Sequence, residues 1–279
     1  MSLVYHEFMK KYLLILLAFC LVLFSACGGE KTNNVKTEIS TVQKNTEVAV
    51  SKDLVTKVPI IMYHYVRDVD EKKDGLGWRL SINPRDFEKQ MKYLKDNGYT
   101  TLHLSDLIAG KVPKKSIVLS FDDGLEDFYT TALPILQKYG FTASDAVITG
   151  MVGAHEHMTK EQIKACIEVG IEITSHTKSH LDMSKISGAE LLAQVVDARD
   201  FLKNNFDIEP MAFVYPSGKY NDAAIKILQQ NGYKIALTTH EGEADLSKDN
   251  MLTLPRLRID NREGFIGFKN VLEKISAEK

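Results

Sequence analysis

From Val58 to the C-terminus, short apolar runs alternate with amphipathic stretches. "VPIIMYHYV" from Val58 and "KSIVLSF" from Lys115 read as strands, apolar almost throughout and so covered on both faces. "PRDFEKQMKYLKDNG" from Pro84 sets Phe87, Met91 and Leu94 on one helical face, with Pro84 placed to open the helix and Gly98 to close it. The same reading gives strands at "YTTLHL", "ASDAVIT", "IEITSH", "MAFVYP", "KIALTTH" and "MLTLPRLRI". It gives a short helix at "SDLIAG" and longer ones at "TKEQIKACIEVG", capped by Thr159, at "GAELLAQVVDARDFLKNNF", at "NDAAIKILQQNG", capped by Asn221, and from Arg262 onward. "EDFYTTALPILQKYG" reads as a helix that Pro134 breaks or bends. Strands alternating with helices predict an α/β fold, a parallel sheet with helices outside it. About seven such units favour closure into a (β/α) barrel, whose strand C-terminal ends carry the chemistry.

Polar residues gather at those ends: His64, Asp122 and Asp123, Ser175 and His176, Tyr215, and His240. The apolar run Ile117-Val118-Leu119 leads almost directly into Asp122, Asp123 and Gly124. Carboxylates at the end of a buried strand cost free energy unless something pairs with them. Adjacent strand residues point to opposite faces. The two can therefore share a site only where the strand turns, and Gly124 permits that turn. A helix N-terminal cap would account for one aspartate but not for both.

"SHTKSH", Ser175 to His180, sets His176 and His180 at a spacing that puts both imidazoles on one face of a helical turn. Two histidines and one carboxylate make a ligand set for a catalytic divalent metal, with a position left for water. Beside a strand-end Asp-Asp pair, one aspartate is then a ligand and the other is free to take a proton from that water. His64 and His240 are candidates for the acid that protonates a leaving group, because imidazole titrates near neutrality. His64 is preferred, as the acid or as the group that orients an aspartate, since it emerges from the buried run "PIIMY".

These motifs resemble those of the polysaccharide deacetylases of carbohydrate esterase family 4, the NodB homology domain. "SFDDG" matches the first motif with Ser120 in place of the usual Thr, and "SHTKSH" matches the second. "YPSGKYN" from Tyr215 lies where the third motif usually reads Arg-x-Pro-Tyr-Gly. The likeness runs over residues 113–279. It implies a distorted parallel (β/α) barrel of the NodB type and removal of acetyl groups from N-acetylated sugars, or O-acetyl groups from xylan. It makes Asp122 the general base and Asp123, His176 and His180 the metal ligands. Zinc is the first expectation, and cobalt, nickel and iron also suit such a site. It makes the backbone N–H of Ser217 an oxyanion donor and places Tyr215, Pro216 and Gly218 around the substrate. Val214 stands where the third motif has its base-orienting arginine, so Arg256 or Arg258 is expected to substitute from another strand. No Leu-x-His motif follows in its usual form. The Tyr-His strand upstream and the "YPxG" form of the third motif resemble the deacetylases of poly-N-acetylglucosamine.

Ahead of the barrel, "MKKYLLILLAFCLVLFSACGG" from Met9 combines a basic start, an apolar run and small residues, the pattern of a secretory signal. Its end resembles a lipobox, with Cys27 as the lipidated residue and Met9 as the expected translation start. The expected organisation is a signal over 1–27, a flexible polar tether over 28–57 and the barrel over 58–279. That predicts a lipid-anchored protein on the extracellular face of a bacterial membrane, probing an acetylated cell-surface polysaccharide. The composition bounds the rest. A formal net charge of -2 with 26% charged residues offers no basic field for nucleic acid. Three cysteines, Cys20, Cys27 and Cys166, supply no disulfide framework, and a monomer is expected. Two other readings use the same scaffold. One is a catalytically silent glycan-binding lipoprotein, which would not need a free base beside the ligands. The other is a hydrolase of a different non-peptide C–N bond. Trp78 and Tyr220 are candidates for stacking on a sugar.

Overall fold

The computed structural model describes residues 53–277. Seven parallel strands form its centre: β1 Ile60–Tyr63, β2 Ser116–Asp123, β3 Ser144–Val147, β4 Glu172–Ser175, β5 Ala212–Val214, β6 Ile235–Glu241 and β7 Leu254–Arg258. Each pairs with the next from β2 to β7, and β7 pairs with β1. Pairing of Ile60–Tyr63 with Val118–Phe121 closes the barrel. A short strand, Thr100–Leu102, pairs with the start of β2, and β3 pairs with the end of β2. β2 is therefore shared by two successive neighbours along one edge, which distorts the barrel.

Side chains alternate as a strand period requires. Ile60, Val118, Ala146, Val214 and Leu237 belong to one cluster, with Leu104 and Leu107 among its other members. Ile61, Leu119, Phe121, Val147 and Ile173 belong to a second, together with apolar residues of several helices. The helices are α1 Pro84–Asp96, α2 Leu133–Tyr139, α3 Lys160–Glu168, α4 Gly188–Phe206, α5 Asp222–Gln230 and α6 Gly264–Ala277; Leu191 and Val195 of α4 and Ala224 and Leu228 of α5 form a third cluster with Phe213 and Tyr215. The capping signals act as read. The Asn83 side chain accepts the Asp86 N–H ahead of Pro84, Thr159 and Gln162 form a capping box, and Asn221 accepts from Ala224.

Three local expectations change. Pro134 does not end its helix: it sits in the first turn of α2, where the helix passes from a wider π-helical turn at Phe128–Ala132 into α geometry. "SDLIAG" is a 3₁₀ turn, Ser105–Ala109, closed by Gly110 in the left-handed region. The stretch expected as tether is already paired at its end: Leu54–Val55 with Val112–Pro113, and Lys57–Val58 with Ala244–Asp245. The signal, Cys27 and the earlier part of the tether lie outside the described residues.

Candidate active site

The alternation that builds the barrel also builds the site. Ser120 and Asp122 share the period of inward-facing Val118, and His64 continues the period of Ile60 and Met62. Asp123 would point to the other side, but its φ is +81° and that of Gly124 is +71°. The strand turns at Asp123 itself. A side chain at Gly124 would put its Cβ 3.1 Å from both Val147 methyls, so the turn needs glycine for space as well as for backbone angle.

Asp122 is 3% exposed and its carboxylate is gripped end-on by both Nη atoms of Arg256. Arg256 Nη1 donates to Oδ1 at 2.7 Å and Nη2 to Oδ2 at 2.8 Å. Arg256 also donates to the Ser120 hydroxyl and, through Nε, to the Thr238 carbonyl at 2.8 Å. That carbonyl is available because the β6–β7 register slips between Leu237 and Glu241. Burial works to raise the Asp122 pKa, but the Arg256 charge and its hydrogen bonds prevail and hold it well below the usual carboxylate range. Of the two arginines expected as substitutes, Arg256 makes the contact. Arg258, two residues along the same face, has no hydrogen bond to either aspartate.

Asp123, His176 and His180 each offer a ligand atom within 4.8 Å of the others. His176 Nε2 and His180 Nε2 lie 3.4 and 3.6 Å from Asp123 Oδ1. His176 Nδ1 is 2.7 Å from the Val214 carbonyl and donates to it, leaving Nε2 with its lone pair free for a ligand bond. Asp123 Oδ1 is buried without a hydrogen-bond partner, as expected of an atom waiting for a cation. The three residues therefore fit a divalent ion. Their convergence differs in one respect from the spacing argument: Thr177 and His180 have φ of +67° and +57°, so a tight turn rather than a helix brings the imidazoles together. The Thr177 hydroxyl accepts the His180 N–H at 2.9 Å and fixes that turn.

His64 Nε2 lies 3.8 Å from Asp122 Oδ2, and burial lowers its pKa against the pull of both aspartates. His240 is exposed and lies edge-on to Tyr220, apart from the aspartates. The "YPSG" turn differs from expectation. Tyr215, Pro216 and Gly218, expected around the substrate, are buried and shape the turn. Tyr215 follows inward-facing Val214, so it points out into the helical layer and packs on Phe213 and Tyr220. Ser217 remains exposed, with φ +52°, and neither the Gly218 bond to Tyr215 nor the Lys219 bond to Pro216 uses its N–H.

Sequence reasoning passed over Asp145. It is fully buried on β3 and neither carboxyl oxygen has a hydrogen-bond partner. Burial, then the charges of Asp122 and Asp123, push its pKa well up. A carboxylate inside the apolar run "ASDAVIT" was the available signal.

A family model described as polysaccharide deacetylase matches residues 109–236. YxkH of Bacillus subtilis (strain 168), provisionally named a polysaccharide deacetylase, is 32% identical over 266 residues, 88% of this chain and 91% of its own. The poly-beta-1,6-N-acetyl-D-glucosamine N-deacetylase of Staphylococcus epidermidis is 26% identical over 279 residues, 91% of this chain and 94% of its own. Among solved structures, the Streptococcus pyogenes deacetylase PplD, in complex with acetate, matches with a TM-score of 0.72 at 33% identity, over 78% of this chain and 97% of that one.

Proposed function

This chain belongs to the polysaccharide deacetylase family, and from that premise we propose a metal-dependent hydrolase that removes acetyl groups from an N-acetylated cell-surface polysaccharide, poly-N-acetylglucosamine first among candidates and a peptidoglycan-type glycan second. One observation carries the reading: a three-residue ligand set, Asp123, His176 and His180, stands beside a second carboxylate that is locked to Arg256 and kept off the ligand set. The Staphylococcus epidermidis relative, named for that glucosamine polymer, supports the choice of substrate.

Asp123, His176 and His180 would hold a divalent ion, zinc being the best match to two histidines and a carboxylate, and such an ion would supply a water of lowered pKa and polarisation of the acetyl carbonyl. Asp122, held anionic and in one orientation, accepts the proton from that water. The Ser217 N–H is the donor to the oxygen that gains charge as the carbonyl is attacked. His64, 3.8 Å from Asp122 and with its pKa lowered by burial, is the group assigned to deliver a proton to the leaving amine. The products are acetate and a free amine on the sugar. Cys27, as a lipidated residue, would anchor the enzyme on the extracellular face of the membrane, with the polar residues after it as a tether.

Replacing the base tests the chemistry. Asp122→Asn should retain metal, measured by atomic absorption, and lose about 10²–10⁴-fold in acetate release from N-acetylglucosamine oligomers. Turnover near that of the parent would move the base elsewhere.

A further inference from the structure

The buried stripe of α4 runs through Leu191, Val195, Ala198 and Leu202 at helical spacing, and Gln194 sits in it at 5% exposure. An amide in an apolar stripe has to be satisfied by what it faces. Gln194 faces the turn between the two histidines of the ligand set. Its Oε1 accepts the Ser179 N–H at 3.0 Å, and its Nε2 donates to the Ser179 hydroxyl at 2.8 Å. A backbone N–H can only donate, so these bonds fix which way round the amide stands. The Gln194 carbonyl accepts the Lys178 N–H at 3.1 Å, a bond that belongs to the backbone of α4 and not to the side chain.

The rest of the turn is held from β3, and that hold stops short of Ser179. The Thr149 N–H donates to the Thr177 carbonyl at 3.1 Å and the Gly150 N–H to the Lys178 carbonyl at 2.8 Å. A Cβ at Gly150 would stand 2.5 Å from the Lys178 oxygen, so that approach needs glycine. Ser179 is exposed, and among the described residues its hydrogen bonds go to Gln194. The next residue, His180, lies at a φ of +57°, a region that residues other than glycine avoid. A metal-ligating imidazole is normally oriented by a hydrogen bond from its other ring nitrogen to a carbonyl, a carboxylate or water. His176 has such a bond, to the Val214 carbonyl, and Asp123 is set by the turn of β2. Among the described residues no protein group does this for the ring of His180, the more exposed of the two histidines. Its place is set through its backbone, by the Thr177 hydroxyl on its own N–H and by the amide that holds the residue before it.

We propose that Gln194 is a positioning residue for His180: its amide holds the turn at Ser179, and with it the imidazole, in the place a metal requires before any metal arrives. The proposal rests on the ligand set in the reading above and is independent of the substrate.

The test is Zn²⁺ affinity of the full chain at pH 7, measured by competition with a chromophoric chelator, with urea unfolding of the metal-free protein recorded beside it. Gln194→Met keeps the length of the side chain and the helix and loses both bonds. It should bind zinc about 10–100-fold more weakly than the parent, the usual cost of losing a group that orients a ligand. Gln194→Glu accepts the Ser179 N–H and, ionised or not, still pairs with the hydroxyl, so it should bind close to the parent. Ser179→Ala, at an exposed position where folding is not at issue, should weaken binding by less than Gln194→Met. Asp197→Asn removes the other side-chain tie from α4 to this turn, an exposed 2.8 Å pair with Lys178, and should leave affinity unchanged. Parental affinity in Gln194→Met overturns the assignment. So does an equal loss in Gln194→Glu or Asp197→Asn, which would trace the effect to burial or to the docking of α4. If Gln194→Met fails to fold, Ser179→Ala decides, and parental affinity there overturns the assignment. A parent that binds no zinc overturns the ligand set and this role with it, whereas zinc bound equally by parent and variants overturns the role alone. Acetate release is not read, so the reaction and its substrate stand or fall separately.

Discussion

Arg256 is fully buried, and its guanidinium donates to Asp122, to the Ser120 hydroxyl and to the Thr238 carbonyl. A planar fork is needed for that set, and a lysine ammonium cannot reproduce it. Removing the guanidinium would strand an ionised carboxylate out of water, which costs about 3–5 kcal/mol when one partner of a buried pair is lost. Arg256→Met should therefore lower stability by that order in urea unfolding and should depress acetate release about as far as loss of Asp122 does. A variant of parental stability would mean that the pair is solvated in solution. Sequence alone left Arg256 and Arg258 equal, because both lie on one face of β7. The slip in the β6–β7 register decides between them, and it depends on two strands that each look regular by themselves.

At the scale of elements, the site hangs on turns. β2 turns at Asp123, the chain after β4 turns at Thr177 and His180, and the chain after β5 turns at Ser217 and Gly218, all at positive φ. Gly218 is the tightest: a Cβ there would come within 2.5 Å of the Thr239 backbone nitrogen. Gly218→Ala should cost at least about 1 kcal/mol from backbone angle alone and should displace the Ser217 N–H. Acetate release should fall while metal content stays at the parental level; unchanged release would remove Ser217 from the chemistry. These turns mark the limit of what the sequence made legible. The barrel strands and their helices were readable, because apolar periodicity and capping residues act locally. The proximity of Asp123, His176 and His180 was readable from motif spacing, although the turn that produces it was not. The burial of Tyr215 was missed because it depends on which side of β5 Val214 takes, a choice made by neighbouring strands.

At the scale of the whole molecule, the described residues form a closed barrel with its candidate chemistry at one end, and the proposed anchor lies in the segment before it. Cys27→Ser should move the protein from the membrane fraction to the soluble fraction, or block its processing, since a lipid on that cysteine is the proposed attachment. Retention of a mature-sized protein in the membrane fraction would point to a different anchor. The central claim, metal-dependent deacetylation, is tested most directly by metal titration. The protein is stripped with a chelator, reloaded with measured amounts of Zn²⁺, and assayed for acetate release from N-acetylglucosamine oligomers, with His176→Ala carried in parallel. The account predicts that release vanishes on stripping, returns in proportion to metal up to one equivalent, and stays absent in the variant. Undiminished release from the stripped protein, or none at any loading, would contradict it.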